Sequence, residues 1–186
     1  KDSLFDDYTG KVIEMMRPVM ENTSIPKTGQ NVKFDSLILM RYGLKVEGIL
    51  FDTMIAAHLL KPESRSLKLE TLSLDYLNYQ MIPIQDLIGK GKDQISMAEV
   101  GVDKISFYAC EDADIAFQLT LIFEKKLKEE NLSKFFNEVE IPLLSVLIEM
   151  EYNGIYIDSN LLKSMSEKIG IKLDKLIKRI YKESGF

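Results

Sequence analysis

A tyrosine and an aspartate stand four residues apart in the stretch Tyr108-Ala-Cys-Glu-Asp112. On a helix, residues at this spacing project from the same face, so the phenol and the carboxylate can converge on one point. A carboxylate there can bind a divalent metal ion, and a neighbouring phenol can orient the water that attacks a phosphorus atom. Taken alone, the spacing is weak, because an acidic helix surface beside a packed tyrosine has the same pattern.

A second candidate stretch runs from Gly29 to Asp35, where a predicted strand passes into a helix. Asp35 falls in the first turn of that helix, and Asn31 precedes it. Either side chain could instead cap the helix or interact favourably with its dipole, and the stretch alone leaves that explanation open. Lys90 and Lys92 lie in a glycine-flanked loop, where phosphate contacts and plain solvation are both reasonable.

The apolar periodicity predicts the elements that position these side chains. We expect an amphipathic helix over the first twenty or so residues, ending near Asn22, then a strand at 25–30 and a helix at 33–42. A second strand at 49–51 and a helix at 53–60 follow. This order of strands and helices indicates α/β layering, although two strands are too few for a complete sheet.

The remainder of the chain is predicted to be largely helical. Helices are expected at 67–77 and 102–131, and another surrounds Pro142, which would open or kink it. The Asn153-Gly154 pair is a strong turn signal and marks the expected domain boundary. Beyond it, residues 155–158 read as a short strand that leads into a final amphipathic helix.

The composition narrows the classes of protein. The 186 residues are 46% hydrophobic, enough for one buried domain with a helical appendage. Without a long apolar stretch or a signal peptide, the chain is expected to be cytoplasmic and not membrane-bound. Cys110, the single cysteine, is expected to be a small buried apolar residue. A net charge of −5 argues against a broad basic face for nucleic acid, but not against metal-mediated contact with a phosphodiester.

These stretches together resemble a known family, the 3′-5′ proofreading exonuclease domain of bacterial family A DNA polymerases (DNA polymerase I). Gly29 to Asp35 is similar to the second exonuclease motif, and Tyr108 to Asp112 to the third. Between them, residues 48–54 (GILFDTM), 67–77 and 88–94 (IGKGKDQ) occur in the order of the family. The resemblance covers roughly residues 10 to 180.

The resemblance implies an α/β, ribonuclease H-like (DnaQ-like) fold and the removal of 3′-terminal nucleotides from DNA by a two-metal mechanism. Asp35 and Asp112 would be the metal ligands, for Mg²⁺ or Mn²⁺. Tyr108 would position the nucleophilic water, and Asn31 would contact the substrate or support the site. The implied partners are the 3′ end of single-stranded DNA and the polymerase domain of the same chain.

The C-terminal part of the chain resembles the passage from exonuclease to polymerase, notably at Glu138 to Asp158. We therefore expect residues 1–153 to be a partial exonuclease domain and residues 154–186 to begin the polymerase domain with a thumb-side helix. The first motif of the family, Asp-x-Glu on an opening strand, should precede Asp35 by several tens of residues.

That first motif has no match in this sequence. Asp2, Asp6 and Asp7 lie in or beside a predicted helix and are poor substitutes for it. Either the fragment begins after the motif, which the abrupt start inside an acidic helix favours, or the parent domain has lost it. Truncation predicts an N-terminally incomplete fold that, on its own, binds metal poorly and hydrolyses little.

Two other functions stay open at this point. A degenerate exonuclease fold could brace the polymerase or guide single-stranded DNA without catalysis, although the presence of Asp35, Tyr108 and Asp112 speaks against it. A ribonuclease of the same superfamily would act on RNA 3′ ends, but the polymerase-like junction disfavours it. His58, in an apolar run, is expected to be structural, since the tyrosine-bearing pattern has no need of it.

Overall fold

The computed structural model describes residues 4–185 and, within that range, all side chains except those of residues 4–8 and 93. The chain divides into two compact units, Lys1–Tyr152 and Asn153–Phe186. Asp2 therefore lies outside the described residues, and Asp6 and Asp7 lie in the first helix with side chains outside the description.

Helices dominate the chain, and two short strands interrupt them. In chain order the elements are α1 Leu4–Met20, β1 Lys27–Gly29, α2 Val32–Arg41, β2 Ile49–Asp52, α3 Thr53–Leu60, α4 Leu69–Leu77, α5 Ile84–Ile88, α6 Val102–Glu129, α7 Ser133–Phe135, α8 Ile141–Asn153 and α9 Ser159–Ser184. Short 3₁₀ turns lie at Gly91–Asp93 and Met97–Glu99, and a π-helical turn at Phe136–Glu140.

The two strands form a small parallel sheet, as the alternation of strands and helices predicts. Thr28 pairs with Phe51 and Gly29 with Asp52, after an irregularity between Lys27 and Thr28. Parallel strands need a crossover connection, and α2 provides it here. The predicted α/β arrangement is therefore confirmed as a small parallel sheet with helices packed on it.

The core of the first unit lies between this sheet and the helices α3, α4 and α6. Leu119, Phe123 and Leu127 follow each other at four-residue intervals along α6, and each is at most 1% exposed. The Tyr76 ring meets the Phe123 ring edge-on, with centroids 4.8 Å apart. This stripe fixes α6 against the sheet, and the N-terminal half of the same helix carries the predicted Tyr108 and Asp112.

Pro142 lies where the last helical segment of the first unit changes from π-helical to α-helical hydrogen bonding. It is the second residue of α8 and lacks the N–H that would bond to the carbonyl four residues earlier. The π-helical turn Phe136–Glu140 lies directly before α8. The opening expected at this proline thus takes the form of a widened turn, the kind of insertion that bends helices.

Two local predictions are wrong. Cys110 is exposed, because it lies about two and a half helical turns from buried Leu119, on the opposite side of α6. Residues 154–158 form no strand in the described chain; instead the Asp158 side chain accepts a hydrogen bond from the Leu161 N–H and caps α9.

His58 is exposed in the last turn of α3, where a basic side chain suits the helix dipole. Among the helices that the structure describes, none combines the length and the apolar character needed to cross a bilayer.

Candidate active site

A cavity of about 830 Å³ opens between the start of α2, the start of α4 and the N-terminal half of α6. Four of the residues that the sequence singles out line it, namely Asn31, Asp35, Tyr108 and Asp112. The fold therefore brings together two stretches that are more than seventy residues apart in sequence. Lys90 and Lys92 are exposed in the turn after α5 and are not among the lining residues described.

The α6 side of the cavity is tied directly to the sheet. The hydroxyl groups of Thr28, on β1, and Thr120, on α6, are 2.6 Å apart. The Thr120 hydroxyl also donates to the Ala116 carbonyl at 3.0 Å, so the Thr28 hydroxyl supplies the proton of the first bond. Because Thr120 is two turns beyond Asp112 on a single helix, this bond fixes where α6 presents Asp112.

The α2 side of the cavity begins with an unusual backbone. Asn31 has φ 58° and ψ 48°, in the left-handed region that asparagine tolerates better than most residues. Its side chain makes no capping hydrogen bond. Capping, the alternative explanation for Asn31, therefore fails. Asp35 does lie in the first turn of α2, where a carboxylate also interacts favourably with the helix dipole.

Asp52 is a site-adjacent carboxylate that the sequence reasoning missed. It is 1% exposed and stands at the end of β2, directly before α3. Its side chain accepts hydrogen bonds from Met54 and Ile55 in α3 and from Asn31 and Val32 at the start of α2. The first half of this role has a sequence signal, since aspartate between a strand and a helix is a favoured N-cap. The second half depends on the tertiary fold.

Gln30 and Glu70 also line the cavity and were also missed. The Gln30 amide donates to the Leu67 carbonyl at 2.7 Å and accepts a hydrogen bond from the Thr53 hydroxyl. Gln30 therefore joins the start of α2 to the segment that leads into α4. Glu70 sits in the first turn of α4. A glutamate in a first turn is typical of helix starts, so the sequence pattern does not mark Glu70 as a cavity residue. The bonds of Gln30 depend on the tertiary fold.

The cavity disfavours negative charge on its own carboxylates. Asp35 keeps an exposed edge, yet desolvation by the surrounding protein raises the pKa of its carboxyl, and the nearby Asp52 charge adds to this. Burial, followed by the charges of Glu111 and Glu70, raises the pKa of Asp112 to about 6. Burial, followed by the charge of Asp112, also raises the pKa of the Tyr108 phenol above its ordinary value.

The donor set suits a hard divalent cation. Carboxylate oxygens are the protein ligands that Mg²⁺ takes, and a cation between Asp35 and Asp112 would offset the penalty that raises both pKa values. Among the described residues, no three His, Cys, Asp or Glu side chains form a group that could hold a metal. Asp35 and Asp112 thus fit as part of a metal-ligand set.

The raised pKa of Asp112 predicts a pH-dependent effect of its amide substitution. A carboxyl with a folded-state pKa of about 6 stabilises the fold below its unfolded pKa and loses that contribution as the pH rises through 6. We expect Asp112→Asn to raise the free energy of unfolding by about 1 kcal/mol at pH 8, after discounting for partial exposure, and by much less at pH 4. Urea unfolding of both chains at the two pH values measures this, and a difference independent of pH would contradict it.

The sequence matches known proteins over most of its length. The family model described as 3′-5′ exonuclease matches residues 2–128. The DNA polymerase I of Chloroflexus aurantiacus is 37% identical over 179 residues, which are 95% of this chain and 19% of that protein. The DNA polymerase I of Borreliella burgdorferi is 41% identical over 157 residues, 84% of this chain and 17% of that protein.

A solved structure shares the fold. The POL domain of Pol1 from M. smegmatis, in complex with DNA primer-template and dNTP, superposes with a TM-score of 0.72 at 20% identity, over 89% of this chain and 25% of that one. The chain therefore belongs to the 3′-5′ exonuclease family of DNA polymerase I. It spans about a fifth of the length of these curated relatives. The family resemblance that the motifs carry is confirmed.

Proposed function

We propose that this chain is the proofreading region of a longer DNA polymerase and that its cavity removes nucleotides from the 3′ end of DNA. One observation carries the proposal: Asn31, Asp35, Tyr108 and Asp112, from two distant stretches, line a single cavity. The partners are then the 3′ end of single-stranded DNA and the polymerase domain of the same protein.

The chemistry proposed for this cavity is phosphodiester hydrolysis. Asp35 and Asp112 would hold the divalent ions, Mg²⁺ or Mn²⁺, which in a two-metal site activate water and stabilise the leaving 3′ oxygen. Tyr108, whose phenol is protonated at physiological pH, would hydrogen-bond the attacking water and orient it toward the phosphorus. Asn31, free of any capping bond, would contact the terminal nucleotide.

The proposed architecture is a ribonuclease H-like, DnaQ-like fold. The parallel pair of strands joined by a helix and the likeness to a polymerase structure support it. Within it, residues 1–153 would be part of the exonuclease domain and residues 154–186 the start of the polymerase domain. Lys68 lines the cavity and is a candidate for contact with the DNA backbone, while Lys90 and Lys92 would contact phosphates farther along the strand.

Digestion of a labelled single-stranded oligonucleotide by the full-length protein tests the proposal. With Mg²⁺ or Mn²⁺ present, we expect stepwise loss of nucleotides from the 3′ end, suppression by a chelator, and much weaker digestion by residues 1–186 alone. If the full-length protein is folded and polymerises but leaves the 3′ end intact, the region is instead a non-catalytic brace of the polymerase.

Removing the Tyr108 hydroxyl should slow this digestion without unfolding the protein. Tyr108→Phe keeps the half-buried ring and loses the group that orients the water. We expect the rate constant for nucleotide release to fall about 10-fold to 100-fold, at or below the lower end of what positioned proton-transfer groups contribute. Single-turnover digestion measures the rate, and an unchanged rate would exclude Tyr108 from the chemistry.

A further inference from the structure

Asp52 joins the starts of two helices through one buried carboxylate. One oxygen, Oδ2, accepts the Val32 N–H at 2.7 Å. The other, Oδ1, accepts from Met54 at 2.9 Å, from Ile55 at 3.2 Å and from Asn31 at 3.3 Å. A helix N-cap needs the α3 bonds alone, so the two bonds to the start of α2 exceed what capping requires.

The two bonds from Asp52 to α2 lie beside Asn31, which lines the cavity. Asn31 occupies the left-handed region, a conformation that costs free energy for a residue with a side chain and needs support from its surroundings. The Asn31 and Val32 amides held by Asp52 lie at the start of the turn that carries Asp35. The orientation of this first turn decides where Asp35 points.

We propose that Asp52 is a positioning residue for the exonuclease site, which clamps the start of α2 so that Asn31 and Asp35 face the cavity. The inference rests on the proposed function and adds to it a buried carboxylate that contacts neither metal nor DNA. Groups that orient the residues of a metal site commonly change metal affinity or activity by about 10-fold to 100-fold when they are replaced.

Asp52→Asn distinguishes the bonds of Asp52 to the start of α2 from its N-cap bonds to α3. The nearly isosteric amide keeps an oxygen in the place of Oδ1, which accepts from Met54, Ile55 and, at a longer distance, Asn31. Its NH₂ group meets the Val32 N–H, donor against donor, so the shortest bond to α2 is lost. Asp52→Ser is the second variant, since serine is a good N-cap but too short to hold both helices. Ser73→Ala is the matched control, because it removes a buried hydroxyl that donates to the Tyr79 carbonyl and does not line the cavity.

Two readouts in the full-length protein test the proposal. In amide hydrogen exchange, Asp52→Asn and Asp52→Ser should speed exchange at residues 31–35 while exchange at residues 54–57 stays near the wild-type rate. In digestion of single-stranded DNA, both variants should raise the Mn²⁺ concentration for half-maximal rate about 10-fold, and Ser73→Ala should leave it unchanged.

The outcomes separate this inference from the proposed function. An intact 3′ end with the wild-type protein overturns the proposed function. An active wild-type protein whose Asp52 variants keep both the wild-type exchange at 31–35 and the wild-type Mn²⁺ dependence overturns the role of Asp52. An equal shift in Mn²⁺ dependence for Ser73→Ala also overturns it, because the effect would then follow from general loss of stability.

Discussion

Asp112→Ala should abolish most of the 3′-5′ digestion by the full-length protein while nucleotide incorporation by the polymerase continues. Asp112 lines the cavity on α6, beside Tyr108, and would supply one of the metal ligands. We expect the rate of nucleotide release to fall at least about 100-fold. The ratio of digestion to incorporation, measured on one preparation, reports the loss independently of protein quality.

Asp114→Ala is the matched control for that experiment. Asp114 is an exposed carboxylate two residues along the same helix, and its side chain accepts a hydrogen bond from Gln118 at 2.6 Å. It does not line the cavity. Digestion within about twofold of the wild type is expected, since surface substitutions rarely matter. Equal losses for Asp112→Ala and Asp114→Ala would show that general acidity of α6, and not this cavity, supports the activity.

Phe123→Ala should cause the largest loss of stability among single substitutions in the α6 stripe. The Phe123 side chain is fully buried, packs edge-on against Tyr76, and belongs to the cluster that holds α6 on the sheet. Truncating a buried phenylalanine removes its apolar contacts and leaves a cavity, so we expect a loss of about 3 to 5 kcal/mol in the free energy of unfolding. Urea unfolding of residues 1–186 at neutral pH measures it.

Phe117→Ala provides the comparison on the same helix. The Phe117 side chain is 52% exposed, so its truncation should change the free energy of unfolding by less than about 1 kcal/mol. If Phe123→Ala proves as mild as Phe117→Ala, the α6 stripe does not hold the helix on the sheet and therefore does not position Tyr108 and Asp112.

The parts of the site that follow from local periodicity were predictable. The spacing of Tyr108 and Asp112 places both on one helix face whatever the helix packs against, and both do line one cavity. The position of Asp35 in a first helical turn follows from the strand signal before it and the apolar pattern after it. Local periodicity does not show that these two stretches line one cavity; only the family resemblance predicted that.

The residues that were missed act through long-range contacts. Asp52 and Gln30 support the start of α2 through bonds to backbone groups brought near by the parallel pairing of β1 and β2. Glu70 reaches the cavity because α4 packs beside α6. No periodicity encodes such contacts, since each depends on how separate elements meet.

The two wrong predictions have local causes. The residue type of Cys110 predicts a core position, whereas its place on α6 puts it opposite the buried stripe. Residues 155–157 are Ile-Tyr-Ile, side chains that are common in strands, but a strand forms only by pairing with another strand. In the described chain this segment leads instead to the Asp158 cap of α9.

The central claim is that Asp35 and Asp112, from separate elements, act in one site, and a double-mutant cycle tests it most directly. The measurement is the rate of 3′-terminal nucleotide release by the full-length protein with Asp35→Ala, Asp112→Ala, or both. If the two carboxylates serve a single site, the double variant should be slower than either single variant by no more than a few-fold, as groups that act as a unit are strongly non-additive. Losses that multiply, or a wild-type rate for either single variant, would contradict the claim.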